Sequence, residues 1–248
     1  MHLAESTWTD VADTGTDLAL LPTGSTEQHG PHAPMGTDAL SAETIAAEAA
    51  DAFGEEVVVA PTVPVGISEE HRQFSGSLWV SEDTFRAYVR DTVDSLAYHG
   101  FDRVVVVNGH GGNTDALREV CGTITRHDDA YAVAFTWFDA LDFTEYDVEL
   151  GHGGPAETAF VQAVRPELVH EDRFEDAAAG AGERFGEWVS GTNLAYDFAE
   201  FSEGGNVGDP GEGDAELGAR LLDDATDALV DLLDAVAERD VERPADRR

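Results

Sequence analysis

The stretch Arg103-Val104-Val105-Val106-Val107-Asn108-Gly109-His110-Gly111-Gly112-Asn113 decides the fold class of this chain. Four consecutive valines read as a central strand buried on both faces, because a half-exposed strand would alternate with polar residues. Glycines then bracket one imidazole, His110, where the strand stops, and Asn113 to Arg126 continues with helical spacing. A buried strand feeding directly into a helix is the repeating unit of a parallel sheet covered on two sides.

The same alternation extends outward from this unit. Leu18-Ala19-Leu20-Leu21 reads as a short buried strand entering the loop from Pro22 to Pro34, and Val57-Val58-Val59 as another, ended by Pro61 and Pro64. Tyr131 to Phe138 is a further strand, and Ser77 to Val80 reads as a short one. Helices are expected over Asp38 to Phe53, over Ser81 to His99 with Ser81 as N-cap and Gly100 as stop, and over Pro155 to Val164 with proline in its first turn. Asp214 to Glu238 places Leu217, Leu221, Leu222, Leu229, Leu232 and Leu233 on one face. The expectation is an α/β fold: one domain over 1–248, a three-layer α/β/α sandwich with a mostly parallel sheet, and an acidic C-terminal helix over 214–240. In such sheets a ligand sits beyond the carboxyl ends of the strands, so the loops after Leu21, Val107 and Phe138 should converge.

Composition excludes several classes. The 248 residues carry 51 Asp+Glu against 14 Lys+Arg, a formal net charge of -37, and all the cations are Arg. Nucleic acid and anionic membranes need clustered cations, so neither is an expected partner. The charge reads as a repulsive, solvated surface suited to high salt. Cys121, the one cysteine, permits no internal disulfide and fits a small residue packed in a helix. Met1-His2-Leu3-Ala4-Glu5 has neither a basic nor an apolar leader segment, and no run reaches the ~20 apolar residues of a membrane span, so a cytoplasmic location is expected.

Three turns concentrate metal-ligand chemistry. Gly24-Ser25-Thr26-Glu27-Gln28-His29-Gly30-Pro31-His32 precedes Asp38, and Glu27 and His29 at i and i+2 leave an extended segment on the same side. Asp38, at a helix start, can aim back at the same point. The second turn carries His110, and its glycines allow close backbone approach while the helix start offers amide donors. The third, His152-Gly153-Gly154-Pro155-Ala156-Glu157-Thr158, puts His152 in a loop and Glu157 in the first turn of a helix. A phosphate loop would need a Gly-Lys-Ser/Thr ending, and a serine hydrolase a Gly-x-Ser-x-Gly elbow; both are missing. A non-catalytic metal or phosphate binder is the rival from another class.

These three turns resemble the creatininase family of metal-dependent amidohydrolases. Thr37-Asp38, the stretch Ser68-Glu69-Glu70-His71-Arg72-Gln73-Phe74-Ser75-Gly76-Ser77 and the turn Gly208-Asp209-Pro210 resemble it as well. The resemblance implies two divalent ions (Zn, Mn or Fe), with Asp38 bridging, Glu27 and His110 completing one ion and His29 binding the other. Creatinine hydrolases proper have a glutamate ligand where this chain has Gly112, so Glu157 is expected to supply that carboxylate. His152 is the candidate acid/base, with His32 second. Glu70, His71, Gly111, Gly112, Asn113 and Trp137 are the candidate substrate-binding residues, Trp137 as a cover. The expected substrate is a small amide: a formamide of the ribosylaminopyrimidine phosphate type met in archaeal riboflavin and deazaflavin synthesis, or else creatinine or a peptide end. A homo-oligomer, as large as a hexamer, is also implied.

Overall fold

The computed structural model describes residues 1–245, so the last positions of the expected 1–248 domain lie outside the described residues. In chain order its main elements are α1 (Trp8–Ala12), β1 (Leu18–Thr23), α2 (Thr37–Ala52), β2 (Val58–Val59), α3 (Glu82–Tyr98), β3 (Arg103–Asn108) and α4 (Thr114–His127). They continue with β4 (Tyr131–Thr136), α5 (Pro155–Val164), α6 (Phe174–Gly180), β5 (Trp188–Val189), β6 (Thr192–Asn193) and α7 (Ala215–Ala237).

The main sheet has the order β2-β1-β3-β4 and is parallel throughout. Alternation along each strand sorts the core into two layers. Leu18, Leu20, Val105 and Val107 pack on one face with Ala42 and Ile45 of α2, Phe160 of α5, and Leu221, Leu229 and Leu233 of α7. Ala19, Leu21, Val104 and Val106 pack on the other with Phe85, Val89 and Val93 of α3 and Leu117 and Ile124 of α4. The expected three-layer α/β/α sandwich is therefore the observed one. Leu20, Leu21 and Val104 to Val107 are wholly buried, each stabilising the fold by about 1.5–3 kcal/mol over an exposed position.

Caps fix the helix ends that matter. Asp214 accepts a hydrogen bond from Leu217 N at 2.9 Å and starts α7, and the Ser81 hydroxyl accepts one from Thr84 N at 3.4 Å at the start of α3. Ser77 to Val80 is not a strand: its one ladder contact is an isolated bridge between Leu78 and Thr26. Three of its four residues lack β-branching, and Thr26 lies in an irregular loop that offers no further partners. The short β5–β6 hairpin and α6 carry no strong periodicity and were not anticipated.

Strand order locates the site. From β1 the chain moves to β2 on one side, while β3 lies on the other and leads on to β4. The loops leaving β1 and β3 therefore diverge, opening a crevice at their carboxyl ends. No helix among the described residues is long and apolar enough to cross a membrane.

Candidate metal centre

Backbone packing sets the crevice before any side chain enters it. A Cβ on Gly24 would lie 2.4 Å from Ala39 N, and one on Gly109 would lie 2.1 Å from Asp38 O. Only glycine at both strand ends lets the first turn of α2 slide between them, and that turn carries Asp38. On β3, Asn108 folds its own loop: its Oδ1 accepts from His110 N at 3.1 Å, while its Nδ2 donates to His110 O at 2.8 Å. His110 is thereby turned toward Asp38.

The two carboxylate oxygens of Asp38 face two different imidazoles. Oδ1 lies 2.9 Å from His29 Nε2, and Oδ2 lies 3.2 Å from His110 Nδ1. His110 Nδ1 is also 3.2 Å from Glu27 Oε1, and His29 Nε2 is 3.7 Å from Glu157 Oε2. The outward nitrogen of each ring is tied to main chain. His29 Nδ1 donates to Glu27 O at 3.2 Å, and His110 Nε2 donates to Ile67 O at 2.6 Å. Such anchoring directs the inner nitrogen of each ring into the cluster.

Gln28 orders the remaining histidines. Its Oε1 accepts from Gly30 N at 2.9 Å and its Nε2 donates to Gly205 O at 2.7 Å, which fixes the amide orientation. The second amide hydrogen goes to His71 Nδ1 at 2.8 Å, so His71 carries its proton on Nε2, 3.2 Å from Glu27 Oε1. With both amide hydrogens used, His152 Nε2 donates to Gln28 O at 2.7 Å. His152 Nδ1 is left bare, 3.9 Å from Glu27 Oε1.

Glu27, Asp38 and Glu157 are all buried, and their ion pairs among the described residues are to histidines alone. Both oxygens of Glu27 and Oδ2 of Asp38 make no well-aligned hydrogen bond, their nearest partners being ring nitrogens of His71 and His110 at 3.2 Å. A buried ionised carboxylate needs hydrogen bonds, a cationic partner or a metal, and three of these oxygens lack the first, so this donor set fits divalent metal. Three His/Asp/Glu groups satisfy ligand spacing: Glu27, Asp38 and His110; His29, His152 and Glu157; and Glu27, His71 and His152.

The carboxylates of the cluster favour positive charge on the imidazoles that face them. Burial pulls His29 down, but Asp38 and Glu157 outweigh it and push it up to about 10. Burial likewise opposes His110, and Glu27 and Asp38 still hold it well above the usual imidazole value. Burial pushes Glu27 up, yet His110 and His71 hold it well below the carboxylate range. Glu157 is pushed up by burial to about 7. His152 is held well below its ordinary value by burial and by neighbouring His29 and His71, leaving it neutral.

Above these residues opens a cavity of about 330 Å3, lined by Glu27, Asp38, Glu70, His71, His110, Gly111, Gly112, His152 and Glu157, with Phe138, Leu150, Phe185 and Phe198 as apolar walls. Four candidates fall outside it, one of them His29, which is wholly buried in the cluster beneath. Trp137 is 1% exposed and packs on Phe138, Phe143 and Phe160. It is core rather than cover: the expected strand over Tyr131 to Phe138 stops at Thr136, and the 3-10 turn over Trp137–Asp139 that follows buries Trp137 and presents Phe138 to the cavity. His32 donates or accepts at Thr158 Oγ1, 2.8 Å away, and packs against Phe174. Burial holds it down at about 4, neutral behind the cluster. Asn113 is a brace: its Oδ1 accepts from Ile67 N at 3.0 Å and its Nδ2 donates to Gly24 O at 3.1 Å. The apolar walls and Gln28 were not anticipated. Gln28 had one legible signal, its place between Glu27 and His29.

A buried carboxylate–imidazole centre at the switch point of an α/β/α sandwich defines the class as a metal-dependent hydrolase. The creatininase family, described as creatinine amidohydrolase, matches residues 4–233. The mycofactocin precursor peptide peptidase of Mycolicibacterium smegmatis is 31% identical over 223 residues, 86% of this chain and 83% of its own. The creatinine amidohydrolase of Pseudomonas putida is 28% identical over 202 residues, 71% of this chain and 76% of its own. A candidate creatinine amidohydrolase from Bacteroides fragilis superposes with a TM-score of 0.82 at 26% identity, covering 98% of each chain. A solved mutant creatininase of Zn-Zn type gives 0.80 at 23%, covering 96% of this chain and 98% of its own. The chain belongs to the creatininase family and is a hydrolase of amide C–N bonds.

Proposed function

We propose that this protein is a dinuclear amidohydrolase in which Glu27, Asp38 and His110 hold one divalent ion and His29, Asp38 and Glu157 the other. The single observation that carries the reading is Asp38, whose two oxygens face two separately anchored imidazoles while Glu27 makes no well-aligned hydrogen bond. Two such ions supply an activated water and a Lewis acid for the amide carbonyl. Glu157, which also accepts from Gly153 N at 2.6 Å, takes the ligand role that Gly112 cannot. His152 keeps a bare Nδ1 beside the cavity, which would accept a proton from the attacking water and hand it to the departing nitrogen.

The preferred substrate is a short peptide or other compact amide, supported by the 31% identity to a peptide peptidase and by walls of Phe138, Phe185 and Phe198. A formamide of a pyrimidine ribotide is a weaker fit, since no Arg among the described residues lines the cavity to meet a phosphate. The test is reconstitution in high KCl of chelator-stripped protein with Zn, Mn or Fe, followed by metal counting and a screen for released amine, formate or creatine. Glu27→Ala should lose one ion and nearly all turnover. Full turnover by that variant, or by the stripped protein, overturns the proposal. The oligomer is checked by light scattering of the same samples.

A further inference from the structure

One carboxylate in the cavity has no part in the metal centre. Glu70 sits in a 3-10 turn over Glu69–His71 and lines the cavity, and its carboxylate, which folds toward its own backbone N–H, is in none of the ion pairs among the described residues. Its neighbour Arg72 turns away, with Nη2 2.7 Å from Asp197 Oδ2 and Nη1 3.3 Å from Glu69 Oε1. The room above the floor is made by Gly112, where a Cβ would lie 3.1 Å from Glu70 Oε1 and 2.3 Å from Ile67 O. Aromatic rings form further walls: Phe198 stands 4.0 Å from His71 and 4.8 Å from His152, and Phe185 stands 6.0 Å from Phe198.

A carboxylate with little water around it favours a charged donor, and aromatic faces attract cations. An anion entering the same cavity would meet Glu70 and the field of a chain with net charge -37. Resting on the amidohydrolase reading above, we infer that the cavity selects amides bearing an ammonium or guanidinium group next to the scissile bond, and that Glu70 is the residue that reads this charge. The phenyl faces of Phe185 and Phe198 cover the apolar part of the same group. Partial burial keeps the recognition working in high salt, where exposed pairs are screened.

The experiment uses Zn-reconstituted holoenzyme in high KCl and three matched probes: alanine anilide with a free ammonium, neutral N-acetylalanine anilide, and anionic N-succinylalanine anilide. The expected order of kcat/KM is cationic, then neutral, then anionic, with about 10-fold or more between the first two. Glu70→Gln should bring the cationic-to-neutral ratio toward one, and Glu70→Arg should reverse it. Metal content and circular dichroism establish that each variant is folded and loaded. Binding calorimetry of the same probes to the holoenzyme decides the charge preference independently of turnover. Cationic binding without hydrolysis would keep the charge filter and remove the proposed activity. Hydrolysis with equal or inverted charge preference, a ratio unmoved by Glu70→Gln, or no binding of the cationic probe overturns the inference.

Discussion

Asp38 Oδ1 lies 2.9 Å from His29 Nε2 while His29 Nδ1 is already engaged by Glu27 O. The contact is thus a place for one shared cation, a proton or a metal. Replacing Asp38 by Asn keeps the volume of the side chain and removes the charge that both imidazoles face. Bound metal, measured by mass spectrometry, should fall from two ions per chain to one or none, and hydrolysis by more than about 100-fold. Two tightly held ions in Asp38→Asn would show that the carboxylate does not bridge.

Metal uptake should release protons. His29 is pushed up to about 10, so at pH 7 it is protonated in the metal-free protein and must lose that proton to coordinate. Apparent affinity therefore rises with pH and levels off only near pH 10. Calorimetric titrations in buffers of different ionisation heat should show at least one proton released per chain at pH 7. A heat independent of buffer would contradict the assignment of His29 as a ligand.

Asn113 acts at one remove. It holds Ile67 N and Gly24 O, and Ile67 O in turn fixes His110 Nε2. Asn113→Ala should weaken metal binding by about 10–100-fold, and the unpaired backbone groups should cost about 1–3 kcal/mol. Urea unfolding and metal titration read the two effects separately, and Asn113→Asp should restore part of the Ile67 contact alone.

Salt should stabilise this chain strongly. With a net charge of -37 and no Lys, repulsion opposes folding until counterions screen it. Each kcal/mol relieved raises the midpoint by roughly 2–4 °C in a domain of this size. We expect the melting temperature to climb by at least about 5 °C between ~0.1 and ~2 M KCl, a change that differential scanning calorimetry resolves. A flat or falling profile would remove the case for adaptation to high salt.

Elements with strong local grammar were legible in the amino-acid order, and surfaces assembled from afar were not. The valine run of β3 announces a strand buried on both faces, Ser81 and Asp214 mark helix starts by side-chain chemistry, and Gly100 marks a stop by its positive φ. Glu27, His29, Asp38, His110 and Glu157 could be nominated because glycine turns gather them near strand and helix ends. The cavity walls could not, since Phe138, Leu150, Phe185 and Phe198 come from separate loops with no shared period. Trp137 shows how fine the margin is: in the 3-10 turn after β4 its neighbour Phe138 meets the cavity while Trp137 is buried. Gln28 illustrates a different limit, because its role depends on carbonyls and rings contributed by Gly205, His71 and His152.

The seating of α2 against Gly24 and Gly109 has an evolutionary corollary. Main-chain atoms, which mutation seldom alters, station the Asp38 carboxylate, whereas the cavity walls are furnished by exchangeable side chains on independent loops. Lineages descended from such an ancestor can therefore retarget the bond they cut through loop substitutions while inheriting the hydrolytic core intact.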